Sequence, residues 1–187
     1  MAKLNGSRIQ FMCRLSYANL SEPRAFNGQK EKYSVSCIIP KSDKGTIAKI
    51  TRAVNEAKEE GKTVLWGNTI PGKLLTPLHD GDTDKAGDEA YANAVYLNAS
   101  NQKKPGLYGR DAKPIADESM LYSGCYAKVD VVFKAYDNAS KGVTSYLQGV
   151  QFVRDGELLG GGAYCSFDAI EEDESGAFED DLPDFMK

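Results

Sequence analysis

Between Leu121 and Tyr136 the sequence LYSGCYAKVDVVFKAY alternates with period two, a pattern that suits a strand and defeats a helix. Cys125, Ala127, Val129, Val131, Phe133 and Ala135 form one face that is apolar or small throughout. Tyr122, Gly124, Tyr126, Lys128, Asp130, Val132, Lys134 and Tyr136 form the other. The first face reads as core and the second as surface. A chain with this segment must build a sheet with one wet side, and the rest of the sequence has to supply its neighbours.

Residues 8–17 (RIQFMCRLSY) put Ile9, Phe11, Cys13, Leu15 and Tyr17 on one side of a predicted strand. Residues 33–39 (YSVSCII) do the same with Tyr33, Val35, Cys37 and Ile39, and Pro40 ends them. A polar loop with Pro23 and Gly28 joins the two. Ile47, Ile50, Val54 and Ala57 recur at helical spacing, so a helix is predicted over 46–60, with Gly61 as its C-cap and an apolar stripe that plugs a barrel end or covers a sheet. Residues 62–90 read as loop, 91–100 as strand, 102–114 as basic loop, 143–154 as strand and 163–167 as a last strand. Strands without alternating helices argue for an antiparallel barrel or sandwich over a doubly wound sheet.

The net charge of −4 conceals two unlike parts. Asp168–Lys187 holds nine acids and one lysine, a net of −8, whereas the first 167 residues carry +4. The predicted organisation is therefore a globular domain over 1–167 and an acidic, disordered tail over 168–187. No apolar run approaches the ~20 residues of a membrane span, and Met1–Asn5 lacks the apolar core of a signal peptide. Cytoplasmic location is the expectation. Cys13, Cys37, Cys125 and Cys165 are far apart in sequence and read as buried free thiols. His79-Asp80-Gly81-Asp82-Thr83-Asp84 opens like a calcium loop, but Lys85 stands at the required glycine and Tyr91 at the closing glutamate. No metal and no other cofactor is predicted.

Binding of single strands needs cations along the phosphates and flat rings for the bases. Tyr122, Tyr126 and Tyr136 interleave with Lys128 and Lys134 on the wet face of 121–136. Side chains two residues apart on a strand lie roughly 7 Å from one another, near the base spacing of an extended strand. Lys103, Lys104, Tyr108 and Arg110 extend the pattern into the basic loop. Lys41, Trp66 and Lys73 are added by loop position and by the resemblance described next. In the tail, Asp180, Asp181, Leu182, Pro183, Asp184 and Phe185 set an aromatic among acids. A tethered polyanion of this kind competes with nucleic acid for a basic groove and, once displaced, is available to partners.

Leu121-Tyr122-Ser123-Gly124-Cys125-Tyr126, Ala135-Tyr136-Asp137-Asn138, Lys141-Gly142-Val143 and Gly149–Glu157 resemble bacteriophage single-stranded DNA-binding proteins, a family once classed as a domain of unknown function. Pro40–Asp43 and Asp80–Asp82 fit the same pattern. The resemblance implies an OB-fold barrel that binds single-stranded DNA without marked sequence preference and catalyses nothing. It also implies phage or host replication and recombination proteins as partners of the tail, which departs from the usual pattern in ending with Met186 and Lys187 after the phenylalanine. Single-stranded RNA and a homodimer stay open. Two other classes remain as alternatives: a metal-dependent nuclease using His79, Asp80, Asp82 and Asp84, and a phage structural or adaptor protein.

Overall fold

The computed structural model describes residues 3–160. The strands are β1 (Ser7–Arg24), β2 (Lys32–Pro40), β3 (Leu78–Asp80), β4 (Ala94–Asn101), β5 (Gly106–Tyr108), β6 (Tyr126–Asp137) and β7 (Lys141–Arg154). A long helix α1 (Lys44–Val64) and a single-turn helix α2 (Gly81–Asp84) complete the regular structure with two 3₁₀ turns, Glu89–Tyr91 and Glu118–Met120. The sheet runs β3-β4-β2-β1-β6-β7-β5, and a β4–β7 pairing closes its five middle strands into a barrel. That seam is parallel and consists of one pair, Ser100 with Tyr146, so β1-β2-β4-β7-β6 is the ring expected of an OB fold.

The alternation of β6 decides the interior. Ala127, Val129, Val131, Phe133 and Ala135 are all buried, and the first four meet Val35, Cys37 and Ile39 of β2, Leu97 and Ala99 of β4, and Leu147, Val150 and Phe152 of β7. From α1, Ile50, Ala53, Val54 and Ala57 join the same cluster, so the helix stripe does pack on the barrel core. The Asp43 carboxylate accepts from the Thr46 N–H and caps α1. Cys13, Cys37 and Cys125 are buried free thiols, and burial pushes the Cys125 thiol up to about 11.

Several boundaries differ from the sequence reading. β6 starts at Tyr126, because Tyr122–Cys125 forms a turn in which the Cys125 N–H bonds back to the Tyr122 carbonyl. β4 starts at Ala94, because Asp88 caps the 3₁₀ turn that holds Tyr91 in the interior. The stretch 62–90 contains β3 and α2. Gly61 is not the C-cap; the cap is Leu65, whose N–H bonds to the Gly61 carbonyl. Gly61 lies where the helix touches β6, and a Cβ there would sit 2.5 Å from that of Ala135. Tyr17 does not follow Leu15 inward. A register shift between Ser16 and Asn19 marks a bulge, Tyr17 takes φ 46°, and its side chain is 61% exposed. The predicted strand at 163–167, Cys165 and the acidic tail lie outside the described residues.

Candidate nucleic-acid interface

The loop predicted between the first two strands is a β-hairpin arm. β1 continues to Arg24, which pairs with Lys32. The Gln29 N–H bonds to the Phe26 carbonyl across Asn27 (φ 49°) and Gly28 (φ 74°), the two positive φ values of a type I′ turn. The turn projects Phe26 from the sheet, 76% exposed, the most exposed large apolar side chain among the described residues.

Beneath this arm runs a groove of about 980 Å³. Its floor is the outer face of β2 and β4, where Ser34, Ser36, Asn98 and Ser100 are small and polar. Its walls carry Tyr17, Phe26, Arg24, Lys30, Lys32 and Lys85, and no carboxylate lies among the described residues that line it. The Lys85 ammonium is 5.3 Å from the Tyr17 ring, 5.7 Å from that of Tyr91 and 5.9 Å from that of Tyr96. Three ring faces thus hold this cation at the groove by cation–π attraction. The bulge at Tyr17 supplies one of them, at the cost of about 1–3 kcal/mol for an aromatic residue in the left-handed region. The described chain ends at Gly160, which lines this groove together with Leu159.

A second hollow, about 390 Å³, lies on the far wall of the barrel over β6 and β7. Lys128, Asp130, Gln151 and Tyr108 line it, and the bulged Gln148 reaches it because the β6–β7 register slips between Asp130 and Val131. Burial pushes the Asp130 carboxyl up, but hydrogen bonds from Arg8 (2.8 Å) and Gln10 (3.0 Å) outweigh it and hold the group below the usual carboxylate range. One row further along, Arg14, Tyr126 and Arg154 are cross-strand neighbours. The Arg154 guanidinium lies 3.6 Å from the Tyr126 ring centroid and that of Arg14 5.8 Å.

The residues singled out in the sequence are divided by this geometry. Lys128 and Tyr108 come together at the second hollow, and the Arg110 carbonyl accepts from Gln151 at its edge. Tyr126 starts β6 with one ring face covered by Arg154. Lys134 lies with its stem over Gly6, and Tyr136 is half-buried beside Gly142. Tyr122 is not on the strand: its hydroxyl sits 2.9 Å from the Asp155 carboxylate and accepts from the Gly156 N–H at 3.1 Å, so the residue braces the 155–156 turn. Trp66 is 7% exposed and packs on Gly61 at the end of α1, which leaves no ring face for a base. Lys41 is held by Asp80 (2.8 Å) and Asp82 (2.6 Å), and Lys104 by Glu118 (2.7 Å). Lys73 and Lys103 are exposed but line neither hollow. The sequence reading missed Tyr17, Arg24, Phe26, Lys30, Lys32 and Lys85; the Asn27-Gly28 pair between basic flanks was the available signal for the arm.

The acidic run at 79–84 has a structural use. Lys41 lies between the Asp80 and Asp82 carboxylates and lowers both below the usual carboxylate range through its hydrogen bonds. Asp84 faces His79 at 3.4 Å. Among the described residues no group of three or more His, Cys, Asp or Glu side chains could hold a metal ion.

The family model described as the single-stranded DNA-binding protein of Enterobacter phage Enc34 matches residues 8–182. The chain belongs to the Enc34 single-stranded DNA-binding protein family. A relative called putative protein p50, from Acyrthosiphon pisum secondary endosymbiont phage 1, is 36% identical over 170 residues, which is 85% of this chain and 89% of that protein. Among solved structures, the Enc34 protein in complex with single-stranded DNA superposes with a TM-score of 0.72 at 22% identity, covering 86% of this chain and 96% of that one. The bacteriophage T7 single-stranded DNA-binding protein gp2.5 gives 0.56 at 18% identity, covering 83% and 91%. At these identities the two structures speak for the barrel fold. The Enc34 family is one of binding proteins rather than enzymes, so the nuclease reading of 79–84 falls.

Proposed function

We propose that this chain binds single-stranded DNA without marked sequence preference, along the groove under the β1–β2 arm. The observation that carries the reading is the lining of that groove: four cations, exposed Tyr17 and Phe26, a small polar floor and no described carboxylate. Family membership supports the same reading. The floor of serines and Asn98 lets a backbone approach closely, while the rings offer stacking that is indifferent to base identity. The cellular role that fits is protection and organisation of single strands during phage replication or recombination, in the cytoplasm of the host. No helix among the described residues is long and apolar enough to cross a membrane.

The acidic tail acts on this groove. Seven residues separate Gly160 from Asp168, a reach of at most about 25 Å. The polyanion is therefore tethered at the rim of the basic groove at high effective concentration and competes with the strand. Asp180–Phe185, once displaced, serves as the contact for replication or recombination partners.

Titration of labelled oligo-dT against salt tests the electrostatic part. With three to four phosphates neutralised, log K should fall with log salt at a slope near −2 to −3, using about 0.7 per phosphate for single strands. Salt-independent affinity would overturn the reading. Removing residues 168–187 should tighten binding at low salt, and unchanged or weaker binding would end the competition model.

A further inference from the structure

We propose that the hollow over β6 and β7 is a second site for single-stranded nucleic acid, so that one chain holds two strands at once on opposite walls of its barrel. The proposal rests on the hairpin groove being the path of the first strand. Around the ring β2 and β4 lie across from β6, and the two hollows share no lining residue. A ridge separates them on the β1 side. The Arg14 guanidinium donates to the Glu157 carbonyl at 2.7 Å, and the Leu159 N–H to the Ser123 carbonyl at 2.8 Å, so residues 157–159 are strapped over the 123–124 turn.

The second hollow has the chemistry of a strand site in its own right. Tyr108 is 39% exposed and stands beside Gly149, where a Cβ would come within 3.8 Å of its ring and 3.3 Å of the Gly106 carbonyl. Gly149 lets β5 lie close to β7, and the tyrosine ring lies back over Gly106, where a Cβ would meet its Cε2 at 2.7 Å, at the edge of the hollow. Lys128 is exposed at the rim and in no ion pair among the described residues. Asp130, the one carboxylate in the lining, is neutralised by Arg8. Arg154 lies flat on Tyr126 one row away, a cation held in place before any ligand arrives. The volume, about 390 Å³, suits one nucleotide rather than a run of bases. The second strand is thus gripped at one stacked base and its flanking phosphates, more weakly than the first. Two strands held by one body are brought within the width of a small barrel, which favours pairing when they are complementary.

The test uses the full chain at low salt and two short, non-complementary oligo-dT strands, one with a donor dye and one with an acceptor. Energy transfer should rise on adding protein. Lys128→Glu, alone and with Tyr108→Ala, should cut the transfer at least fivefold and change single-oligo affinity less than twofold; Lys128→Glu alters an exposed side chain only, so it serves if the double variant unfolds. Transfer unchanged in Lys128→Glu would overturn the proposal. An equimolar mixture of Lys128→Glu with the groove variant Lys30→Glu/Lys32→Glu should stay dark. Restored transfer in the mixture would overturn it too, because strands would then be joined by association of two chains. The groove variant alone separates the two readings: if it keeps full single-oligo affinity, the hairpin groove is not the first path, whatever the transfer shows.

Discussion

Phe26 and Trp66 show how little a residue type says without its address. Both are large aromatic side chains in stretches that read as loop. Trp66 is folded onto Gly61 at the end of the helix, while Phe26 is lifted clear of the sheet by the Asn27-Gly28 turn. An apolar ring that gains nothing from the core is free to stack on a base. Phe26→Ala should weaken oligo-dT binding by about 1–3 kcal/mol, roughly five- to 150-fold in Kd, and leave the melting temperature within a degree or two. A fluorescence titration paired with thermal melting checks both halves; a large drop in melting temperature would mean that the ring packs on the body. Tyr126 is the counter-case. One face of its ring is already stacked by Arg154, so its removal would free a cation as well as a ring.

At the scale of elements, period-two segments were legible wherever the strand stays regular. The inner face of β6 was readable residue by residue because nothing interrupts it between Ala127 and Ala135. The errors fall where a local device overrides the period. The bulge at Tyr17 turned an expected core side chain outward, and the 3₁₀ turn at Glu89–Tyr91 carried Tyr91 inward before its strand began. Half of the proposed interface was invisible for a similar reason: Pro23 hid the continuation of β1, so the arm passed for a loop. The basic groove also draws on β1, β2, the residue after α2 and the 159–160 segment, a set that no single window of sequence contains. Gly61 gives a test in which two magnitudes compete. In an exposed helix, glycine to alanine stabilises by about 1 kcal/mol. Here the new methyl would meet Ala135 at 2.5 Å and the Trp66 ring at 3.0 Å, and overpacking costs about 1–3 kcal/mol. Gly61→Ala should therefore lower stability in chemical denaturation, and a gain would show that the helix can shift away from β6.

For the whole molecule, the Lys41 clasp on Asp80 and Asp82 ties the end of β2 to the start of α2. Both carboxyl groups titrate below their ordinary value of about 3.9. A depressed folded-state value stabilises the protein above that range and is lost as pH falls through the depressed one. Melting temperature should hold from neutral pH down to about 5 and decline below about 4, with a smaller decline in Lys41→Met. Calorimetry across that range reads it, and identical acid profiles for the two proteins would remove the clasp from the account.

The ring of strands closes at one rung, Ser100 with Tyr146, reinforced by the Asn101 side-chain amide on the Leu147 carbonyl at 3.0 Å. Every other junction of the five is a long antiparallel ladder. A hoop breaks at its thinnest point, so this rung is where the barrel first parts in a brief opening short of unfolding. Ser100 is also part of the floor on which the first strand would lie. A ligand seated there bridges the rung from outside and makes its parting rarer. Deuterium uptake at the amides beside it would then report occupancy of the protein without any label on the DNA.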